Sequence, residues 1–117
     1  MEERRASPRI RVYHPVRLHR PSTPQAVETL TKDLSVGGLR CISPELFPVS
    51  SELSIELVLS NGEEPFTVRG QTRWFRMIPN SDQFYVGISF LELSPQNKRR
   101  LSVYLERLAG KSTQAFV

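Results

Sequence analysis

The sequence predicts an all-β fold: a small closed or nearly closed barrel of roughly five to seven antiparallel strands, finished by one C-terminal amphipathic helix. Three observations predict it. Apolar and polar residues alternate with a period of two along most of the chain, turn-forming residues interrupt that alternation at short intervals, and the period becomes helical only near the C-terminus. Many short strands in 117 residues would leave exposed edges, which closure into a barrel removes.

The first strand follows from Ile10, Val12, Val16 and Leu18 on one parity and Arg11, Tyr13, Arg17 and His19 on the other. Pro15 cannot donate to a central ladder, so this strand lies at an edge or carries a bulge. Pro21 and Pro24 bound a loop. A second strand is expected from Ala26 to Lys32, a turn over Asp33–Gly38, and a short third strand over Leu39–Ile42. Beyond a loop with Pro44 and Pro48, Leu53, Ile55, Leu57 and Leu59 alternate with Glu52, Ser54 and Glu56. Asn61-Gly62 signals a tight hairpin, because both residues tolerate positive φ. The next strand carries Phe66, Val68, Gly70, Thr72 and Trp74 on one parity and Arg69, Gln71 and Arg73 on the other. Asn80-Ser81-Asp82 turns the chain into a last strand with Phe84, Val86, Ile88 and Phe90. Ser94-Pro95 then offers an N-cap followed by proline at the first helical position. Leu101, Tyr104, Leu105 and Leu108 follow helical spacing, and Gly110 suits a C-terminal stop, so the helix is expected over 95–109.

Apolar residues at 38% and charged residues at 24% describe a soluble globular chain large enough for one core. No apolar run approaches the roughly 20 residues that cross a bilayer, so membrane insertion is not expected. The leading MEERRASPR has no apolar stretch, and the single cysteine, Cys41, excludes an internal disulfide; both favour the cytoplasm. The charge is unevenly placed. Residues 1–20 carry six arginines against Glu2 and Glu3, whereas the remaining ten basic and ten acidic residues cancel. The expected organisation is therefore a flexible arginine-rich arm over 1–11, with a barrel and C-terminal helix over 10–117. A localised basic arm points to a phosphate-bearing partner or an acidic surface.

Catalysis is not expected. His14 and His19 fall five apart in one strand and face opposite ways, the carboxylates form no pair, and no metal-ligand spacing, nucleophile elbow or phosphate loop is present. No cofactor and no metal are anticipated, and Cys41 reads as a packed thiol.

Two short segments carry more. In RASPR, Arg5 and Arg9 stand four apart in a segment too polar to fold alone. Each guanidinium offers a planar fork for phosphate oxygens or a guanine edge, and a flat face for stacking. In DLSVGG, Asp33 and Ser35 project together if the segment is extended, and Gly37 and Gly38 let a ligand approach the main chain. A carboxylate there could accept from a guanine, although a β-turn capped by Asp or Ser explains the same residues.

Together and in this order, with 23 residues between Arg9 and Asp33, these segments resemble the RxxxR and (D/N)xSxxG signatures of the PilZ domain family. Trp74 late in a strand, the segment YVGISFLELS and the terminal helix agree, so the resemblance runs from Arg4 to about Leu108. It implies a six-stranded antiparallel barrel with a helix, and a receptor for the bacterial second messenger cyclic di-GMP. On that resemblance Arg5 and Arg9 clasp phosphates and bases, Asp33 and Ser35 contact guanine, and Gly38 keeps space for it. Arg4, just before RxxxR, resembles the arrangement that accommodates two stacked ligands. Arg40 and Trp74 are further expected walls of the site, although Trp74 also shares the inward parity of Phe66 and Val68.

The expected mechanism is a disorder-to-order switch: mutually repelling arginines are neutralised by a dianion that bridges arm to barrel. The signal would then pass to a separate, unknown downstream protein. Two rival readings are a ligand-independent scaffold of the same fold that binds only protein, and a small basic barrel for single-stranded nucleic acid. The latter needs aromatics interleaved with cations on an exposed face; Tyr13 and Phe75 lie near arginines, but most other aromatics share the inward parity, so nucleic acid is not the expected partner.

Overall fold

A computed structural model describes residues 10–11, 13–59 and 64–115, with side chains described for 13–59 and 64–109. The elements are β1 (Ile10–Arg11), β2 (Pro15–His19), β3 (Ala26–Ser35), β4 (Gly38–Ser43), β5 (Glu52–Leu57), β6 (Phe66–Met77), β7 (Phe84–Phe90) and α1 (Pro95–Ala115). All strand pairs are antiparallel, in the order β3-β2-β5-β6-β7-β4, and a further β3–β4 pairing closes the ring. Short β1 continues along the flank of β3 that β2 also uses, so there are six strand positions around the barrel.

The single first strand expected at an edge or with a bulge is instead two, β1 and β2, and β2 is paired on both flanks. Arg11 pairs with Asp33, but Pro15 pairs with Leu30, a register one residue out of step. Proline stands at the first position of β2, where its missing N–H interrupts nothing inside the ladder. β3 runs longer than expected. Asp33, Leu34 and Ser35 pair with Arg40, Leu39 and Gly38, so Asp33–Ser35 is strand, and only Val36-Gly37 turns. The Asn61-Gly62 turn lies outside the described residues. Asn80 turns β6 into β7 at φ 61°.

The interior takes alternate residues from every long strand: Val16, Leu18, Leu34, Leu39, Ile55, Phe66, Val86 and Ile88 are each at most 3% exposed. Leu101 and Leu105 of α1 join them. Each such side chain contributes about 1.5–3 kcal/mol by leaving water, which is how the helix is held to the barrel. The cap reads as predicted: Ser94 Oγ accepts the Asn97 N–H at 3.1 Å, and the Ser94 carbonyl accepts Lys98 N–H at 2.8 Å. The helix does not stop at Gly110, however, but continues to Ala115. A glycine inside a helix costs only about 1 kcal/mol, which good helix formers such as Gln114 and Ala115 offset.

Candidate ligand-binding face

Because Leu34, Leu39, Val86 and Ile88 point into the core, the residues between them face outward. The register then lines up one row across five strands: Arg11 opposite Asp33, Asp33 opposite Arg40, Arg40 opposite Gly87, and Gly87 opposite Trp74. A parallel row one step along brings Ser35, Gly38 and Ser89 together. Residues distant in sequence thus become neighbours through strand pairing alone.

Trp74 reaches the outside through a bulge. Phe66, Val68 and Thr72 are buried on the inward parity, which Trp74 would share. Between Thr72 and Trp74 the β6–β7 register shifts by one residue, and the parity beyond it inverts. Trp74 is consequently 39% exposed and lies against the main chain of β7. A Cβ on Gly87 would come within 2.2 Å of the indole Nε1, so only glycine leaves the ring its seat. The inward alternative for Trp74 is corrected by this bulge.

Arg40 donates from Nε and Nη2 to Asp33 Oδ2 at 2.9 and 2.6 Å. Asp33 is only 4% exposed although it faces outward, in part because this guanidinium lies over it. The carboxylate therefore already has a charge-assisted partner and holds Arg40 in place. Ser35 Oγ accepts the Gly37 N–H at 3.2 Å and donates to the Gly38 carbonyl at 3.4 Å, closing the turn in the way the β-turn alternative described. The two glycines differ. A Cβ at Gly37 would meet nothing nearer than Ser35 Oγ at 3.8 Å, whereas at Gly38 it would lie 2.2 Å from the Ile88 carbonyl oxygen. Gly38 thus lets β7 approach closely, and Gly37 is the glycine with open space beside it; both line the recess.

These residues enclose a recess of about 360 Å³ between Gly37-Gly38, Arg40, Arg73, Trp74 and Gly87. Arg73 Nε donates to Ser89 Oγ at 2.8 Å. Beside it, Lys32 Nζ lies 3.2 Å from the Tyr85 hydroxyl and 4.6 Å from its ring centre, and Arg76 lies 5.6 Å from the same ring. A flat indole wall, a bare main-chain floor and a cationic margin suit an anion that also carries a planar ring.

Of the residues singled out from sequence, Asp33, Ser35, Gly37, Gly38, Arg40 and Trp74 meet on this face. Arg4, Arg5 and Arg9 lie outside the described residues; β1, starting directly after Arg9, pairs Ile10 with Leu34. Sequence reading missed Gly87, Ser89, Tyr85 and the role of Arg73. A glycine inside a strand is the one signal that was available, since it marks close approach of another group. Elsewhere, burial pushes the Cys41 thiol up to about 12, which leaves it inert as a nucleophile at neutral pH. Among the described residues no His, Cys, Asp or Glu cluster could hold a metal ion, and no helix is long and apolar enough to cross a membrane.

A family model for the PilZ domain matches residues 3–107. The chain belongs to the PilZ domain family. No curated protein matches this PilZ chain. Among solved structures it is similar to the Bacillus subtilis inhibitor of motility MotI/DgrA, at 18% identity over 93% of this chain and 53% of that one, with a TM-score of 0.76. It is also similar to the PilZ domain of Escherichia coli YcgR with c-di-GMP, at 19% identity over 96% of this chain and 98% of that domain, TM-score 0.72. A third is the K. pneumonia MrkH–c-di-GMP complex, at 19% identity over 97% of this chain and 56% of that one, TM-score 0.80. The PilZ chain thus spans about half the length of MotI/DgrA and of MrkH, and at these identities the likeness is one of fold.

Proposed function

We propose that this PilZ chain is a cytoplasmic receptor for cyclic di-GMP that catalyses no reaction and passes its signal to a separate protein. The observation that carries the reading is the register of β1. It sets the root of the arginine-rich arm against the Asp33–Ser35 end of β3, on the side where Arg40, Gly37 and Trp74 border the recess. Ile10, the residue after RASPR, is thus paired within the DLSVGG segment. Solved structures with this fold include the PilZ domain of YcgR with c-di-GMP and the MrkH–c-di-GMP complex.

In this reading, residues 1–11 act as an arm and the rest as the platform. Arg5 and Arg9 engage phosphate oxygens and guanine edges, while the recess receives a base against Trp74. Asp33 orients Arg40 and, through it, the ligand. Arg4 adds the charge that lets a second, stacked ligand bind. Arm and platform share the ligand only in the bound state, and that difference in contacts shifts the population.

Thermal melting with and without cyclic di-GMP tests the receptor reading, because a ligand selective for the native state stabilises it by about 2.7 kcal/mol at 100 times its Kd. The midpoint should rise with ligand. Arg5→Ala and Arg9→Ala should each weaken binding at least tenfold in titration calorimetry while leaving the ligand-free midpoint unchanged. An unmoved midpoint in the parent protein, or two variants that bind like it, would sink the proposal.

A further inference from the structure

Helix α1 presents a second cationic surface, away from the recess. Gln96, Arg99, Arg100, Val103 and Arg107 recur at spacings of three and four and so share one helical face, opposite the buried Leu101 and Leu105. This face, with Leu59 and Glu64, borders a groove of about 580 Å³. Arg100 is engaged there, donating from Nη2 to the Glu64 carbonyl at 3.2 Å and lying 6.0 Å from the Phe66 ring centre. Arg99 and Arg107 are exposed and have no ion-pair partner among the described residues. Between them stands Val103, 45% exposed.

We propose that this face docks an acidic segment of the downstream protein, one in which an apolar residue is flanked by carboxylates. The partner's carboxylates would meet Arg99 and Arg107, and its apolar side chain would cover Val103. Charge complementarity selects an acidic occupant, and the apolar centre selects a protein over a phosphate chain. As the partner of a signalling receptor, this occupant rests on the cyclic di-GMP reading above.

The groove is also wired to the root of the arm. Tyr104, which lines it, shares a hydrogen bond between its hydroxyl and His14 Nε2, and the two rings lie 5.2 Å apart. His14 sits between β1 and β2 and is fixed on β3 by its N–H to Thr31 Oγ1 at 2.9 Å and its carbonyl to Thr31 N–H at 2.8 Å. Burial lowers the His14 pKa and raises that of Tyr104, so both side chains favour their neutral forms.

The probe is a phage-displayed library of random dodecapeptides, selected against the full-length protein with its Arg99→Glu and Arg107→Glu variants as counter-selection. Enriched peptides should carry Asp or Glu on either side of Leu, Ile or Phe. Added to ¹⁵N-labelled protein, they should shift amide resonances of Gln96–Arg107 and Glu64, and should bind each variant at least tenfold more weakly. Lys98→Glu, on the same helix but off the groove, makes an equal charge change and should keep the affinity within twofold. The proposal is overturned if nothing acidic is enriched, if shifts map elsewhere, if Lys98→Glu weakens binding as much as Arg99→Glu, or if an oligonucleotide or an anionic phosphatidylglycerol vesicle binds the face better than any peptide. A cyclic di-GMP titration on the same samples separates the two readings. Peptide binding without nucleotide binding removes the receptor and leaves the groove, and the reverse result removes the groove alone.

Discussion

Two sides of the barrel treat their cations differently. Across β2, β5 and the start of β6, Arg17 pairs with Glu28 and Glu56 at 2.9 and 3.5 Å, and Arg69 pairs with Glu52 and Glu92 at 3.2 and 2.8 Å. Across β3, β4, β7 and the end of β6, Arg40 is held by Asp33, but Lys32, Arg73 and Arg76 rest on a phenol, a serine hydroxyl and an aromatic face, with no carboxylate partner among the described residues. Both sides are exposed antiparallel sheet. On the first, charge is closed on itself and contributes little, as exposed ion pairs do. On the second, charge is left over beside a recess with bare main chain. The difference teaches that a count of arginines says less about a binding face than the whereabouts of their carboxylates.

The sharpest way to press this comparison is through the two adjacent glycines. Gly38→Ala drives a methyl into the β7 main chain and should destabilise the fold by about 3 kcal/mol, read as a lower melting midpoint. Gly37→Ala points into open space and should stay within about 0.5 kcal/mol. Equal losses at the two positions would mean that the β4–β7 approach is less tight than described.

Next in size is a contrast across the two sides. Trp74→Ala should weaken cyclic di-GMP by about 1–3 kcal/mol, the usual value of one stacked base, with a modest change in midpoint. Arg17→Ala should leave affinity within twofold and cost at most about 1 kcal/mol of stability. Calorimetry that ranked Arg17 above Trp74 would reverse the assignment of the faces.

The smallest effect concerns pH. The His14 pKa in the folded chain lies below its usual 6.5 because burial disfavours the charged ring. The unfolded chain therefore takes up this proton first, and stability present above that value is lost as pH falls below it. Between about pH 7.5 and 5.5 the midpoint should fall less in His14→Asn than in the parent protein. Parallel curves for the two would show that His14 carries no part of the acid sensitivity.

Much of this fold was legible from the chain itself. Alternation placed most strands, Ser94-Pro95 placed the start of α1, and Pro15 marked an irregularity in the first strand, which is a break between β1 and β2. The exceptions share a cause. Period-two reading assumes an unbroken ladder, so it put Trp74 with Phe66 and Val68, and the single extra residue at Arg73 was invisible to it. Asp33–Ser35 looked like turn because Ser and Gly cluster there, yet pairing with β4 carries the strand on to Ser35. At the candidate site, the DLSVGG motif and the family resemblance singled out Asp33, Ser35, Gly37, Gly38, Arg40 and Trp74, but not how they contact one another. That Arg40 is bound by Asp33, or that Gly87 seats an indole, depends on strand register, which no local pattern encodes.

The shift at Arg73 also bears on how such a face is gained or lost. Removing one residue from β6 at that point would restore the ladder and turn Trp74 inward, towards an interior already filled by Phe66, Val86 and Ile88. Length, more than side-chain identity, decides which way the indole looks. A single-codon deletion there would take the aromatic wall from the outer surface and crowd the core in one step, while every motif residue stayed in place.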